Sequence, residues 1–160
     1  AEQGHAEAQY VLGTFYLNGQ GVDQDSEKGV YWISKSAEQG YAEAQSDMGV
    51  FYEKGLVVGQ DYAKAIAYYM KAANQGFARA QSNLGACYLN GYGVTKNYTK
   101  AVSLFSKAAE QGFADAQFNL GYCFAQGLGV VQDNATAVAW FRKAAENGSE
   151  KARTVLNKRQ

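Results

Sequence analysis

Small and apolar residues at Ala8, Leu12, Phe15 and Tyr16 fall at i, i+4, i+7 and i+8, the spacing of one face of an α-helix, and predict a first helix over about residues 5–18. Gly19-Gln20-Gly21 follows. Glycine enters the left-handed region without steric penalty, so this pair ends the helix. Asp25 then offers a carboxylate to the free amides of the next turn and reads as an N-cap. The second helix behind it carries Val30, Ile33 and Ala37 on its inner face and stops at Gly40. The predicted unit is helix, glycine turn, capped helix, glycine turn.

That unit recurs every 36 residues without insertion or deletion. Ala1-Glu2-Gln3-Gly4 returns as Ala37-Glu38-Gln39-Gly40, Ala73-Asn74-Gln75-Gly76, Ala109-Glu110-Gln111-Gly112 and Ala145-Glu146-Asn147-Gly148. Ala8, Ala44, Ala80, Ala116 and Ala152 form another column, as do Gln9, Gln45, Gln81 and Gln117, and Gly13, Gly49, Gly85 and Gly121. The caps repeat as Asp25, Asp61, Asn97 and Asp133. An unbroken period of this length is the signature of an all-α solenoid, in which each helix pair buries its remaining apolar face on the next. Units are expected at about 5–40, 41–76, 77–112 and 113–148, with a capping helix over 149–160. Ala8 and Gly13 on the first helix, and Ala65 and Ala72 on the second, are the small residues expected where paired helices cross. Two positions depart from the pattern. Val57 replaces the glycine of Gly21, Gly93 and Gly129, so the loop Gly55–Gly59 is expected to take a different path. Gly29 replaces Ala65, Ala101 and Ala137, at about 1 kcal/mol in helix propensity.

Residues 1–4 read as the tail of a preceding second helix, which leaves the apolar face of the first full unit uncovered and predicts further units upstream in the parent protein. Arg153, Asn157 and Gln160 replace framework residues while Val155 and Leu156 stay apolar, the pattern of a polar-backed last helix at a natural end of the array.

Charge narrows the partners. Fifteen Lys and Arg balance fifteen Asp and Glu, so no net field draws in nucleic acid or an anionic membrane. No apolar run reaches the roughly 18–20 residues that span a bilayer, and the chain reads as a soluble segment without membrane insertion. With no proline and 18 glycines, glycine must make nearly all the chain reversals. Cys87 and Cys123 stand one unit apart and read as free, half-buried thiols. Packed helices lie about 8–10 Å apart, beyond the roughly 7 Å Cα separation a disulfide allows.

Catalytic readings fare poorly. The Gly-x-Gly fragments follow helices, lack a third glycine and recur once per unit, so they are turns and not nucleotide loops. His5, the chain's one histidine, shares a column with Tyr41, Phe77 and Phe113 and reads as a packing residue at a helix start. Lys35, Lys71, Lys107 and Lys143 complement helix C-terminal dipoles. Asn97, Asn134 and Asn147 each begin a glycosylation sequon, but Asn97 is already a cap, and the matches read as coincidental. Cys87 and Cys123 have no His or Cys neighbour at ligand spacing, so nothing resembles a metal site, and no cofactor is expected.

Ala-x-Ala-Gln-x-x-Leu-Gly-x-x-Tyr, then Gly-x-Gly-Val, then Lys-Ala-Ala-x-Gln-Gly, resembles the Sel-one-like repeat (SLR) family, a relative of the tetratricopeptide repeat, over essentially the whole chain. The resemblance implies a right-handed superhelix with first helices lining its concave side, and adaptor roles in signalling, secretion, quality control and, in bacteria, host interaction. A bacterial periplasmic or secreted setting is among those it allows. Some bacterial members carry a cysteine pair in every unit, which this chain lacks.

Comparison of the four copies separates framework from variable columns. The variable ones on the first helix are Glu7/Glu43/Arg79/Asp115, Tyr10/Ser46/Ser82/Phe118, Val11/Asp47/Asn83/Asn119, Thr14/Val50/Ala86/Tyr122 and Asn18/Lys54/Asn90/Gln126. Steps of three and four residues put them on one stripe, and in the related repeats that stripe faces the groove. The candidate binding residues are Glu7, Tyr10, Thr14, Ser46, Asp47, Val50, Arg79, Asn83, Asp115, Phe118, Asn119 and Tyr122. Mixed aromatic and polar side chains suit an extended peptide or a partner helix; an unconstrained solvated surface would vary as well. The function expected is a non-catalytic scaffold for a protein or peptide partner. The alternatives are a spacer, monomeric or weakly self-associating end to end, and an enzyme using the groove.

Overall fold

The computed structural model describes residues 2–158, with side chains from His5 onward. Ala1, Arg159 and Gln160 lie outside the described residues, as do the side chains of Glu2 and Gln3. Nine helices and no strand are present among the described residues: α1 Glu2–Asn18, α2 Ser26–Glu38, α3 Ala42–Lys54, α4 Tyr62–Asn74, α5 Ala78–Asn90, α6 Tyr98–Glu110, α7 Ala114–Gln126, α8 Asn134–Glu146 and α9 Glu150–Asn157. The chain forms two compact units, Ala1–Phe77 and Ala78–Gln160. In the first, α1 packs on α2, α2 on α3 and α3 on α4; in the second, each of α5 to α8 packs on the next.

The caps form as the sequence predicts. Asp25, Asp61 and Asn97 accept from the amides of Lys28, Lys64 and Lys100 at 2.9, 3.0 and 2.9 Å, and Asp133 accepts from Ala135 and Thr136. The Asn97 side-chain carbonyl is therefore occupied as a cap acceptor. These hydrogen bonds favour the ionised carboxylate, and the Lys28 amide and the Thr136 hydroxyl hold the carboxyls of Asp25 and Asp133 below their ordinary value.

Glycine fixes how closely the paired helices meet. A Cβ on Gly49 would lie 2.4 Å from the Tyr69 ring, one on Gly85 2.7 Å from Phe105 and one on Gly121 2.9 Å from Phe141. Tyr69, Phe105 and Phe141 are buried on these bare stretches of backbone. Gly13 and Ile33 make the equivalent contact in the first pair. There Gly29 is a further packing element, because its Cβ would lie 2.6 Å from Leu17 and 3.0 Å from the Gly13 carbonyl. The propensity it forgoes is exchanged for this approach.

Three expectations are corrected. The loop at Val57 follows the same path as the others: Val57 has φ 64°, in the left-handed region with Gly21, Gly93 and Gly129. Its anchors explain this. Leu56 N donates to the Phe51 carbonyl, Gln60 Nε2 to Glu53 and Asp61 N to Tyr52, as Gln20, Gln24 and Asp25 do to Phe15, Leu17 and Tyr16. With both ends pinned, the side chain conforms to the backbone. Secondly, α1 runs unbroken from Glu2 through Gly4. Elsewhere the turn is held by the amides of Tyr41, Phe77, Phe113 and Ser149 donating to Ser36, Ala72, Ala108 and Ala144. Thirdly, Ala8 is exposed and not at a helix crossing. Its column faces the preceding second helix, as the burial of Ala44 and Met48 with Val30, Ile33 and Ala37 demonstrates.

Tyr69 is fully buried, and its hydroxyl donates to Glu53. Where the second helix carries Ile33, Phe105 or Phe141, the residue in the Glu53 column is Leu17, Leu89 or Ala125. The polar tip and its acceptor thus occur together in one pair and are absent together in the other three. Replacing Glu53 by Leu is expected to destabilise the chain by about 1–2 kcal/mol, and adding Tyr69→Phe to restore most of that, as measured by denaturant unfolding of the single and double variants. Val57→Gly, which relieves a β-branched residue from left-handed backbone, is expected to raise stability by about 1 kcal/mol in the same assay.

Candidate functional site

The candidate residues lie on the first helix of each pair, and each unit presents its own face. In the first unit, Glu7 of α1 is exposed, while Tyr10 and Thr14 are half-buried. The Tyr10 phenol donates to Asp47 of α3 at 2.9 Å, and its ring sits 5.3 Å from that of Tyr41. Thr14 turns back to the Val11 carbonyl at 2.7 Å. Val50 is half-buried, whereas Ser46 is fully buried with its hydroxyl unpaired, so Ser46 presents nothing to the surface. Glu7, Tyr41, Glu43, Gln75 and Phe77 help to line a cavity of about 440 Å³. Ala8, Val11, Leu12 and Phe15 line another of about 410 Å³ on the outer side of α1.

In the second unit, Arg79 and Asn83 of α5 and Phe118 and Asn119 of α7 are half-buried, and Asp115 and Tyr122 are exposed. Phe118 turns inward, its ring 5.4 Å from Phe141 in the core of α7, α8 and α9. Tyr122 keeps 43% of its surface in solvent. Asp115, Asn119 and Tyr122 follow at i, i+4 and i+7 and share one side of α7.

Beneath both faces runs a polar relay whose columns the sequence displays but whose bonds it does not. In the first unit Gln75 donates to the side chain of Gln45 at 2.8 Å, and Gln45 donates to the Ala37 carbonyl at 3.1 Å. In the second, Asn147 donates to Gln117 at 2.9 Å, and Gln117 to the Ala109 carbonyl at 3.1 Å. Gln39 to Gln9 and Gln111 to Gln81 repeat the first step. The 30-residue spacing of these glutamine columns is the signal from which the pairing could have been guessed. The relay satisfies the buried amides and pins each turn to the helix beneath it. Cys87 and Cys123 are buried free thiols, and burial pushes the Cys123 thiol up to about 11, away from nucleophilic use.

Among the described residues no group of three or more His, Cys, Asp or Glu is placed to hold a metal ion, and no helix is long and apolar enough to cross a membrane. Paired helices in register, with variable side chains on the first helix of each pair, define a helical repeat protein. A model of the Sel1 repeat matches residues 6–41, 42–77, 78–113 and 114–149, and the chain belongs to the Sel1-repeat family. It is similar to a protective antigen of uropathogenic Escherichia coli strains that displays an SLR fold, with 40% identity and a TM-score of 0.87 over 95% of this chain and 32% of that one. A Sel1 repeat protein from Oxalobacter formigenes is 40% identical, with a TM-score of 0.83 over 99% of this chain and 46% of that one. Helicobacter pylori cysteine rich protein B is 32% identical, with a TM-score of 0.63 over 82% and 97% of the two chains. This chain therefore spans under half the length of the first two relatives. No curated protein matches it. Sel1 repeats generally serve as scaffolds for protein–protein interaction.

The Tyr41 phenol donates to Glu43 at 2.8 Å, and this hydrogen bond, with burial, pushes its pKa from 10.0 up to about 12. A raised folded-state value means that the stabilisation is complete below pH 10 and fades as pH climbs towards 12. Glu43→Ala is expected to return the phenol towards its ordinary value, read from the Tyr41 ring resonances in an alkaline NMR titration.

Proposed function

We propose that the chain is a non-catalytic interaction scaffold that takes a peptide or partner protein on the exposed sides of its first helices. The observation that carries this reading is the α7 surface of the second unit. There a large aromatic side chain, Tyr122, stays 43% exposed on a rigid helix beside the half-buried Asn119 and the exposed Asp115. Exposed aromatic surface beside polar groups, on a scaffold held by buried core and satisfied amides, is the anatomy of an interaction hot spot. In the first unit Glu7, Tyr10, Thr14, Asp47 and Val50 form the corresponding face. Ser46 in the first unit and Phe118 in the second act as support beneath the surface and not as contacts.

Catalysis has little to work with at these positions. The thiols are buried, and the hydrogen bond to Glu43, with burial, drives the Tyr41 phenol away from ionisation at neutral pH. The partner comes from solution and is recognised by local detail, because the net charge is zero. Affinity capture with the wild-type chain against an Arg79→Glu/Tyr122→Ala variant, followed by mass spectrometry, tests the reading. Specific partners held by the wild type and lost by a folded variant are expected; an identical set on both would refute it. Phe118 is kept out of that variant because truncating it would open the core against Phe141.

A further inference from the structure

In the second unit the turns from first to second helices, taken with the helix starts behind them as residues 90–100 and 126–136, form a surface with its own chemistry. The two segments pack together: a Cβ on Gly129 would lie 2.5 Å from the carbonyl group of Tyr98 and 2.8 Å from the Thr99 nitrogen. Leu128 and Val130 hold the second turn on the buried core of α6 and α7. Around them Tyr92 is 46% exposed, Tyr98 38% and Val131 89%. Free charge there has one sign. Lys96 and Lys100 are exposed and have no carboxylate within ion-pair distance among the described residues. Asp133, the one acidic residue in the two segments, is committed to capping α8, where it accepts from the Ala135 and Thr136 amides and from the Thr136 hydroxyl. The corresponding turns of the first unit expose Leu56 and Val57 but carry Asp23, Asp25, Glu27 and Asp61. Exposed apolar tips beside unpaired cations therefore belong to the second unit, and the zero net charge of the whole chain conceals them.

Tyrosine and lysine share a build, an apolar body with a polar end, that suits them to the boundary between water and hydrocarbon. A valine as exposed as Val131 stands clear of its surroundings and offers a peptide no groove, but it fits the acyl boundary of a lipid leaflet. Lysines without intramolecular partners keep their charge for anionic headgroups. We infer that the paired turns of the second unit dock on an anionic lipid surface, Val131 entering the acyl boundary, Tyr92 and Tyr98 lying at headgroup level and Lys96 and Lys100 meeting the headgroup charge. Two lysines and one aliphatic tip make this a reversible, peripheral contact. It uses none of the first-helix positions assigned to a protein partner, so it stands or falls apart from the scaffold reading.

Val131→Cys carrying a nitrobenzoxadiazole fluorophore reports entry into lipid, because Cys87 and Cys123 are buried and out of the label's reach. The labelled whole chain is titrated with vesicles of phosphatidylcholine alone and with vesicles of an equal mixture of phosphatidylcholine and phosphatidylserine. A blue shift with the mixed vesicles only is expected, weakened by added salt. Vesicle co-sedimentation of unlabelled chains, each shown by thermal unfolding to be folded, is expected to fall about fivefold for Lys96→Ala or Lys100→Ala and about tenfold for Val131→Asp. No blue shift, equal binding to both kinds of vesicle, or binding indifferent to both lysines would overturn the inference. Equally tight, lysine-dependent binding of an acidic peptide or a single-stranded DNA oligonucleotide would also overturn it, since the surface would then be one for anions of any kind.

Discussion

Everything in this chain depends on how near the first and second helix of a pair can come. At Gly49, Gly85 and Gly121 the first helix has no side chain, and a ring from the second helix rests on its backbone at a distance that no Cβ would permit. That contact fills the centre of the pair with aromatic volume and leaves the rest of the interface to small residues such as Ala65, Ala72, Ala101 and Ala137, all fully buried. Dense packing of this kind tolerates little change in shape. The variation that does occur is therefore compensated: Ile33 is joined by Gly29 and Leu17, and Tyr69 by Glu53.

From this close pairing the rest of the structure follows. Once the helices are set, their ends must be satisfied without proline or long loops. The chain does this with capping aspartates and asparagine, left-handed glycines and side-chain amides that donate to free carbonyls. The strength of this anchoring is visible at Val57, where a β-branched residue takes left-handed backbone because both ends of its loop are already bonded. The glutamine relay then ties each turn to the helix it covers, so that surface side chains stand on fixed backbone.

A fixed backbone lets individual side chains decide function. Each first helix carries the same framework, yet Tyr10 donates a hydrogen bond to Asp47, whereas Ser82 and Asn119 in the matching columns make no such bond. The two units are thus alike in architecture and unlike in what they present. Such division between a repeated frame and a few variable positions is how solenoid scaffolds acquire partners without changing fold.

The sequence by itself determined the helices, their caps and the helix pair as the repeated element, because those depend on local spacing and on columns repeated every 36 residues. It also marked the stripe of variable positions. It did not say which members of that stripe face solvent, because inward and outward side chains lie only one or two residues apart on a helix. Tertiary packing decided that Ser46 is enclosed, that Phe118 turns to Phe141 and that Ala8 faces away from its paired helix. Packing likewise decided the Val57 turn, where hydrogen bonds at both ends outweigh the residue's own preference. Packing between helices and hydrogen bonds across the turn set these outcomes, and the periodic spacing of apolar residues carries no record of them.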